Sequence, residues 1–197
     1  TISIPKIKEI PIEDFTSSSE VLTTNAPDNL VFSLPVINPN APTVAVIRND
    51  SGGEGGFLKN REGEKLHRGL DLSTEIGQKV YAPIPGIIQK STATSKSETS
   101  GIKILGSKDF TNYTAYIFYM KSSLPVGTTV IPGQLIGYSE DLSKDYPEEV
   151  TDHVHFSLKV KDKGKEFYLD PEHLKYKENI KFMNDSTLNA IQTQALS

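Results

Sequence analysis

Leu66-His67-Arg68-Gly69-Leu70-Asp71-Leu72 is the stretch around which this chain is organised, and Asp152-His153-Val154-His155-Phe156 answers it far downstream. The protein has 4 histidines, and three of them fall in these two segments. Side chains alternate faces along a strand, so His153 and His155 point the same way, with Cα atoms roughly 7 Å apart. At that distance one imidazole can bind a metal while the other reaches the metal's water. His67 and Asp71 also share a face, but about 13 Å apart if fully extended. Zinc–ligand bonds are only about 2 Å, so one ion takes both only if the chain bends between them. Gly69 sits midway and permits a bend or bulge. Two histidines and one carboxylate make three protein ligands, the count of a catalytic zinc with a position left for water. Thiolate ligation is excluded, because the chain has no cysteine. Either spacing alone is common by chance, and a metal-free β domain with coincidental motifs is the bland alternative.

The two segments together resemble the H-x-G-x-D and H-x-H-F signatures of the M23 peptidases, the lysostaphin-like, LytM-type zinc endopeptidases of bacterial cell walls. Three further stretches are similar to that family in the same order. Gly77-Gln78-Lys79-Val80-Tyr81-Ala82-Pro83 with Gly86-Ile87-Ile88 resembles its G-x-x-V-x-A-x-x-x-G-x-V segment. Val126-Gly127, Val130 and Pro132-Gly133-Gln134-Leu135-Ile136-Gly137 resemble its V-x-x-G-x-x-V-x-x-G-Q-x-I-G segment. Asp170-Pro171 with Leu174 resembles its closing motif. The resemblance implies an antiparallel β-sheet core of the duplicated-hybrid-motif type, with a substrate groove across one face. It implies His67, Asp71 and His155 as zinc ligands and His153 as general base. It also implies a substrate class, peptide cross-bridges or stem peptides of peptidoglycan, bound extended.

Two departures bear on activity. Members that cleave carry another histidine in a Y-x-H-L segment, where it helps bind the developing oxyanion. Here that stretch is Ile117-Phe118-Tyr119-Met120, which places Tyr119 at the histidine's position. A phenol can donate to an oxyanion. Alternatively Tyr119 fills the groove wall and the domain keeps its metal without catalysis, as a binding or scaffold module with an envelope or virion protein partner. The second departure is Tyr138 to Asp152, longer and more acidic than the family's glycine-rich approach. It either reshapes one wall of the groove or is a solvated loop. His173 lies outside the signatures and reads as a surface or packing residue.

Outside the motifs, the sequence sets bounds. A chain of 197 residues is about one domain with tails. The net charge of -4 gives no support for nucleic-acid binding and no pull toward anionic wall polymers or lipid. No run of 18 apolar residues exists to span a membrane. The family points to an extracytoplasmic location, although no signal segment is evident at Thr1. Between residues 70 and 160 the pattern is short β-rich runs separated by Gly/Pro turns, without a long amphipathic helix. One of these runs is Tyr113 to Met120. The expected organisation is an N-terminal arm and linker over 1–42, a peptidase domain over 43–180 and a polar tail over 181–197. Residues 1–30 are interrupted by Pro5 and Pro11 and could dock along a sheet edge. Leu30 to Leu34 and Thr43 to Ile47 are strand-like. Ser51 to Gly56 is glycine-rich, and either borders the groove or is a mobile surface loop.

Overall fold

The computed structural model describes residues 19–21, 26–61, 65–91 and 100–185. The fold is mostly β and mainly antiparallel. The strand His153–Asp162 is its axis. On one side it pairs antiparallel with Tyr113–Phe118, and beyond that lie Gly101–Gly106, Gly86–Ser91 and Thr129–Val130. On the other side its first residues pair with Leu70–Ser73, followed by Val44–Ile47 and Lys181–Asn184. Its last residues pair instead with Lys165–Leu169, which carries Ser19–Val21 as a parallel neighbour. A separate three-stranded sheet combines Met120–Ser122, Leu135–Ser139 and Lys79–Tyr81.

Period-2 alternation gives the central strands two different faces. Tyr113, Ala115 and Ile117 point into the core, as do Val154, Phe156, Leu158 and Val160. Thr114, Tyr116 and Phe118, with His155, Ser157 and Lys159 opposite them, make the other face. The same two strands therefore build the core with one set of side chains and a polar, aromatic floor with the other.

The expected run Tyr113 to Met120 is broken. Tyr119 has φ 65°, a left-handed conformation that costs an aromatic residue about 1–3 kcal/mol. Its surroundings offset that cost. The Tyr119 N–H donates to Ser100 O at 2.9 Å, and its carbonyl accepts from Glu140 N at 3.0 Å. Met120 leaves the large sheet for the smaller one and is fully buried, which contributes about 1.5–3 kcal/mol. The break turns the Tyr119 side chain into the cleft above the floor.

Residues on the arm side of the expected boundary also enter the core: Leu30, Phe32, Leu34 and Val36 are buried, and the Phe32 ring packs edge-on against Phe110 at 5.1 Å. Leu30 to Leu34 is not a strand but makes one bridge, Phe32 to Tyr176, between Pro27 and Pro35, which have no N–H to donate. Lys181–Asn184, on the tail side of the other boundary, is a strand. Expectations for residues 1–18 and 186–197 lie outside the described residues. No helix among the described residues is long and apolar enough to cross a membrane.

Candidate metal centre

Register places the first two candidate ligands. His155 lies directly opposite Asp71, and Phe156 opposite Leu70, across the antiparallel pair. Directly opposed side chains on one face have Cβ atoms about 5 Å apart. The His155 Nδ1 to Asp71 Oδ1 distance is 2.9 Å.

His67 completes the group. The strand Lys65–Leu66 ends just before it, the next begins at Leu70, and the chain bends at Gly69, as the spacing requires. The reason for glycine is space rather than a special φ. A Cβ there would lie 2.4 Å from the carbonyl oxygen of Phe156 and 2.9 Å from Cε1 of His155. Gly69→Ala is expected to force the two strands apart and destabilise the fold by about 1–3 kcal/mol. Denaturation midpoint and zinc stoichiometry should both fall; if neither changes, the close approach is not a constraint.

The bend brings His67 Nε2 to 3.0 Å from Asp71 Oδ1 and 3.0 Å from His155 Nδ1. The outer nitrogens are engaged elsewhere. His67 Nδ1–H donates to Gly56 O at 2.8 Å, and His155 Nε2 bonds Ser157 Oγ at 2.7 Å. The bonds to Gly56 and Ser157 turn His67 Nε2, His155 Nδ1 and a carboxylate oxygen of Asp71 toward one point. Three acceptors at such distances repel unless a proton or a cation sits among them. Tetrahedral zinc holds its ligand atoms about 3.3 Å apart, so the donor set fits a divalent ion with an open position.

Burial would push the Asp71 carboxyl up, but hydrogen bonds with His155 and His67, and the charges of His155 and His153, hold it well below the ordinary carboxylate range. Its other oxygen, Oδ2, accepts from Arg48 Nη2 at 3.1 Å. Arg48 is itself buried and also pairs with Asp50, whose carboxylate accepts the backbone N–H groups of Gly52 and Thr151. No motif marks Arg48. Its only signal is a cation ending the apolar run Val44–Ile47, two residues before Asp50.

His153 stands beside this group. Its Nδ1–H donates to Thr151 O at 2.7 Å, which leaves Nε2 as the basic atom, 3.8 Å from Asp71 Oδ2. Burial lowers its pKa below the ordinary histidine value; Asp71 and the Thr151 bond oppose that shift, while Arg48 and His155 add to it. His153 is therefore neutral near pH 7. Asp152 does not serve it, since its carboxylate accepts Leu142 N–H.

These side chains line a cleft of about 390 Å³. Tyr119 lies in its wall, its ring 5.0 Å from that of His153 and edge-on to it. Its hydroxyl bonds that of Tyr146 at 2.7 Å. Tyr146 comes from the acidic 140–152 run, which contributes Tyr146 and Val150 to the cleft wall while Ser143, Lys144 and Pro147 to Glu149 are exposed. The glycine-rich loop also borders the site: Gly52 lines the cleft, and Gly55 packs against Asp71 with no room for a Cβ. His173 is apart from all of this, paired with Asp170 at 3.0 Å and mostly exposed.

The sequence model of peptidase family M23 matches residues 65–169, more than half of the chain. No curated protein matches. Among solved structures, the chain is similar to lysostaphin, an antimicrobial peptidase from Staphylococcus simulans, at 23% identity and TM-score 0.47, covering 59% of this chain and 46% of that one. A zinc-containing peptidase from Vibrio cholerae matches at 17% identity and TM-score 0.47, over 71% of this chain and 39% of that one. Csd3 from Helicobacter pylori matches at 14% identity and TM-score 0.50, over 84% of this chain and 40% of that one. The chain thus spans less than half the length of each of these three proteins.

Proposed function

From the premise that this chain belongs to peptidase family M23, we propose that it is a zinc-dependent endopeptidase acting on the peptides of bacterial peptidoglycan, outside the cytoplasm. One observation carries the reading: His67 Nε2, His155 Nδ1 and Asp71 Oδ1 converge within 3.0 Å of one another, with His153 Nε2 beside them. Zinc in that position supplies an activated water and polarises a peptide carbonyl. The chain's own residues do the rest. Gly56 O and Ser157 Oγ fix which nitrogen each ligand histidine presents. Arg48 holds the far oxygen of Asp71, so the carboxylate offers one oxygen to the ion. His153, neutral and bare at Nε2, accepts the proton of the attacking water and returns it to the leaving amine. The substrate class that goes with this reading is an extended peptide with small residues such as glycine at the cleavage point.

A second reading has its own observation. The sequence resemblance puts Tyr119 at the position of a histidine in members that cleave, which favours a domain that binds peptide or an envelope or virion protein without cutting it. One experiment separates the two. Protein loaded with one zinc is incubated with purified peptidoglycan and with a short glycine peptide, and new amino groups are counted. Release that a chelator abolishes supports the peptidase. Full zinc occupancy without release, together with a gain of release in Tyr119→His, supports the binding module.

A further inference from the structure

The acidic run from Glu140 to Asp152 delivers one aromatic residue, Tyr146, to the cleft. Leu142 is fully buried and its N–H donates to Asp152 Oδ1 at 2.8 Å. Tyr146 N–H donates back to Leu142 O at 3.0 Å. Thr151 N–H donates to Asp50 Oδ2 at 2.7 Å, on the carboxylate that pairs with Arg48. The run is therefore closed on itself by Leu142 and Asp152 and tied at Thr151 to the carboxylate that pairs with Arg48, and Tyr146 rides on its closed part.

We propose that Tyr146 is the hydrogen-bond donor to the carbonyl oxygen that becomes negative during peptide cleavage, with Tyr119 as its positioning partner. This rests on the peptidase reading above. A phenol has one proton to donate and lone pairs to accept. Two hydroxyls 2.7 Å apart share one hydrogen bond, so one of them is donor and the other acceptor. Either hydroxyl can donate in this pair; in our assignment Tyr119, whose backbone is pinned by Ser100 and Glu140 and whose ring stands edge-on to His153, donates to Tyr146. Tyr146 keeps its own proton for an acceptor in the cleft. Donation from Tyr119 polarises that second O–H and makes it the stronger donor, as in any hydrogen-bond chain. The rings pack edge-on with centroids 5.8 Å apart, which holds the two hydroxyls together. The two tyrosines thus do together what one histidine does in related sites.

The test uses the zinc-loaded protein and a phosphinic pseudopeptide, in which a phosphinate replaces the scissile amide of a short glycine peptide. The phosphinate carries the negative oxygen that the amide lacks. Tyr146→Phe is expected to bind it roughly 10²–10³-fold more weakly than wild type and to lose kcat by a similar factor. Affinity for the parent peptide, zinc stoichiometry and thermal midpoint should not change. Tyr119→Phe should lose less. If Tyr146→Phe binds the phosphinate as wild type does, or if Tyr119→Phe alone carries the whole loss, the assignment is overturned while the peptidase reading stands. If wild type itself discriminates no better than tenfold between phosphinate and amide, both fall.

Discussion

His153→Ala should lower kcat/KM on a peptide substrate by roughly 10²–10⁴-fold while one zinc per chain stays bound. The split follows from geometry. His67, Asp71 and His155 meet through distances that do not involve His153, whose Nε2 lies 3.8 Å from Asp71 Oδ2, the oxygen that Arg48 holds. Removing its imidazole leaves the donor triangle closed but removes the nitrogen that takes the proton in the proposed mechanism. Parallel measurement of turnover and metal content decides the matter. Loss of zinc together with activity would make His153 a ligand rather than a base. Unchanged activity would remove it from the reaction.

Arg48→Met should destabilise the metal-free protein by about 3–5 kcal/mol, because it strands a buried carboxylate. The thermal midpoint should fall by on the order of 10 °C. Both partners of this pair are only 4% exposed, so water does not replace the lost bond. Asp50 suffers less than Asp71, since two backbone N–H groups still serve it. Saturating zinc takes over part of the missing positive charge at Asp71, so it should recover part of the loss. At 100 times its Kd a ligand adds about 2.7 kcal/mol by mass action alone. Zinc should stabilise Arg48→Met by more than it stabilises wild type. Equal stabilisation would mean that guanidinium and metal do not act on the same carboxylate.

The parts of the site written as local spacing were legible in the sequence. The pair His153 and His155 needs only strand alternation, and His67 with Asp71 needs only a bend, for which Gly69 stands ready. Resemblance to known peptidases added the order of the ligands and the sheet around them. What stayed hidden depends on register and on side chains from unrelated segments. Arg48 reaches Asp71 only because Val44–Ile47 runs beside Leu70–Ser73. Tyr146 reaches Tyr119 only because a long acidic run folds back over the cleft. The break at Tyr119 was hidden for another reason: Tyr113 to Met120 reads as one uninterrupted β-rich run, and the left-handed turn is imposed by the burial of Met120 and by Ser100, residues that the local pattern does not weigh. The core role of Phe32 was obscured by the prolines around it.

The separation of His155 from Asp71, 84 positions along the chain, has a bearing on how the protein matures. Contacts between such distant positions close late, after the intervening polypeptide has paid its entropy of loop closure. His67 and Asp71 exist early but cannot grip an ion as a pair in an open strand. A site that takes its ion from His67, Asp71 and His155 would therefore assemble only once the strand that begins at His153 has paired with Leu70–Ser73.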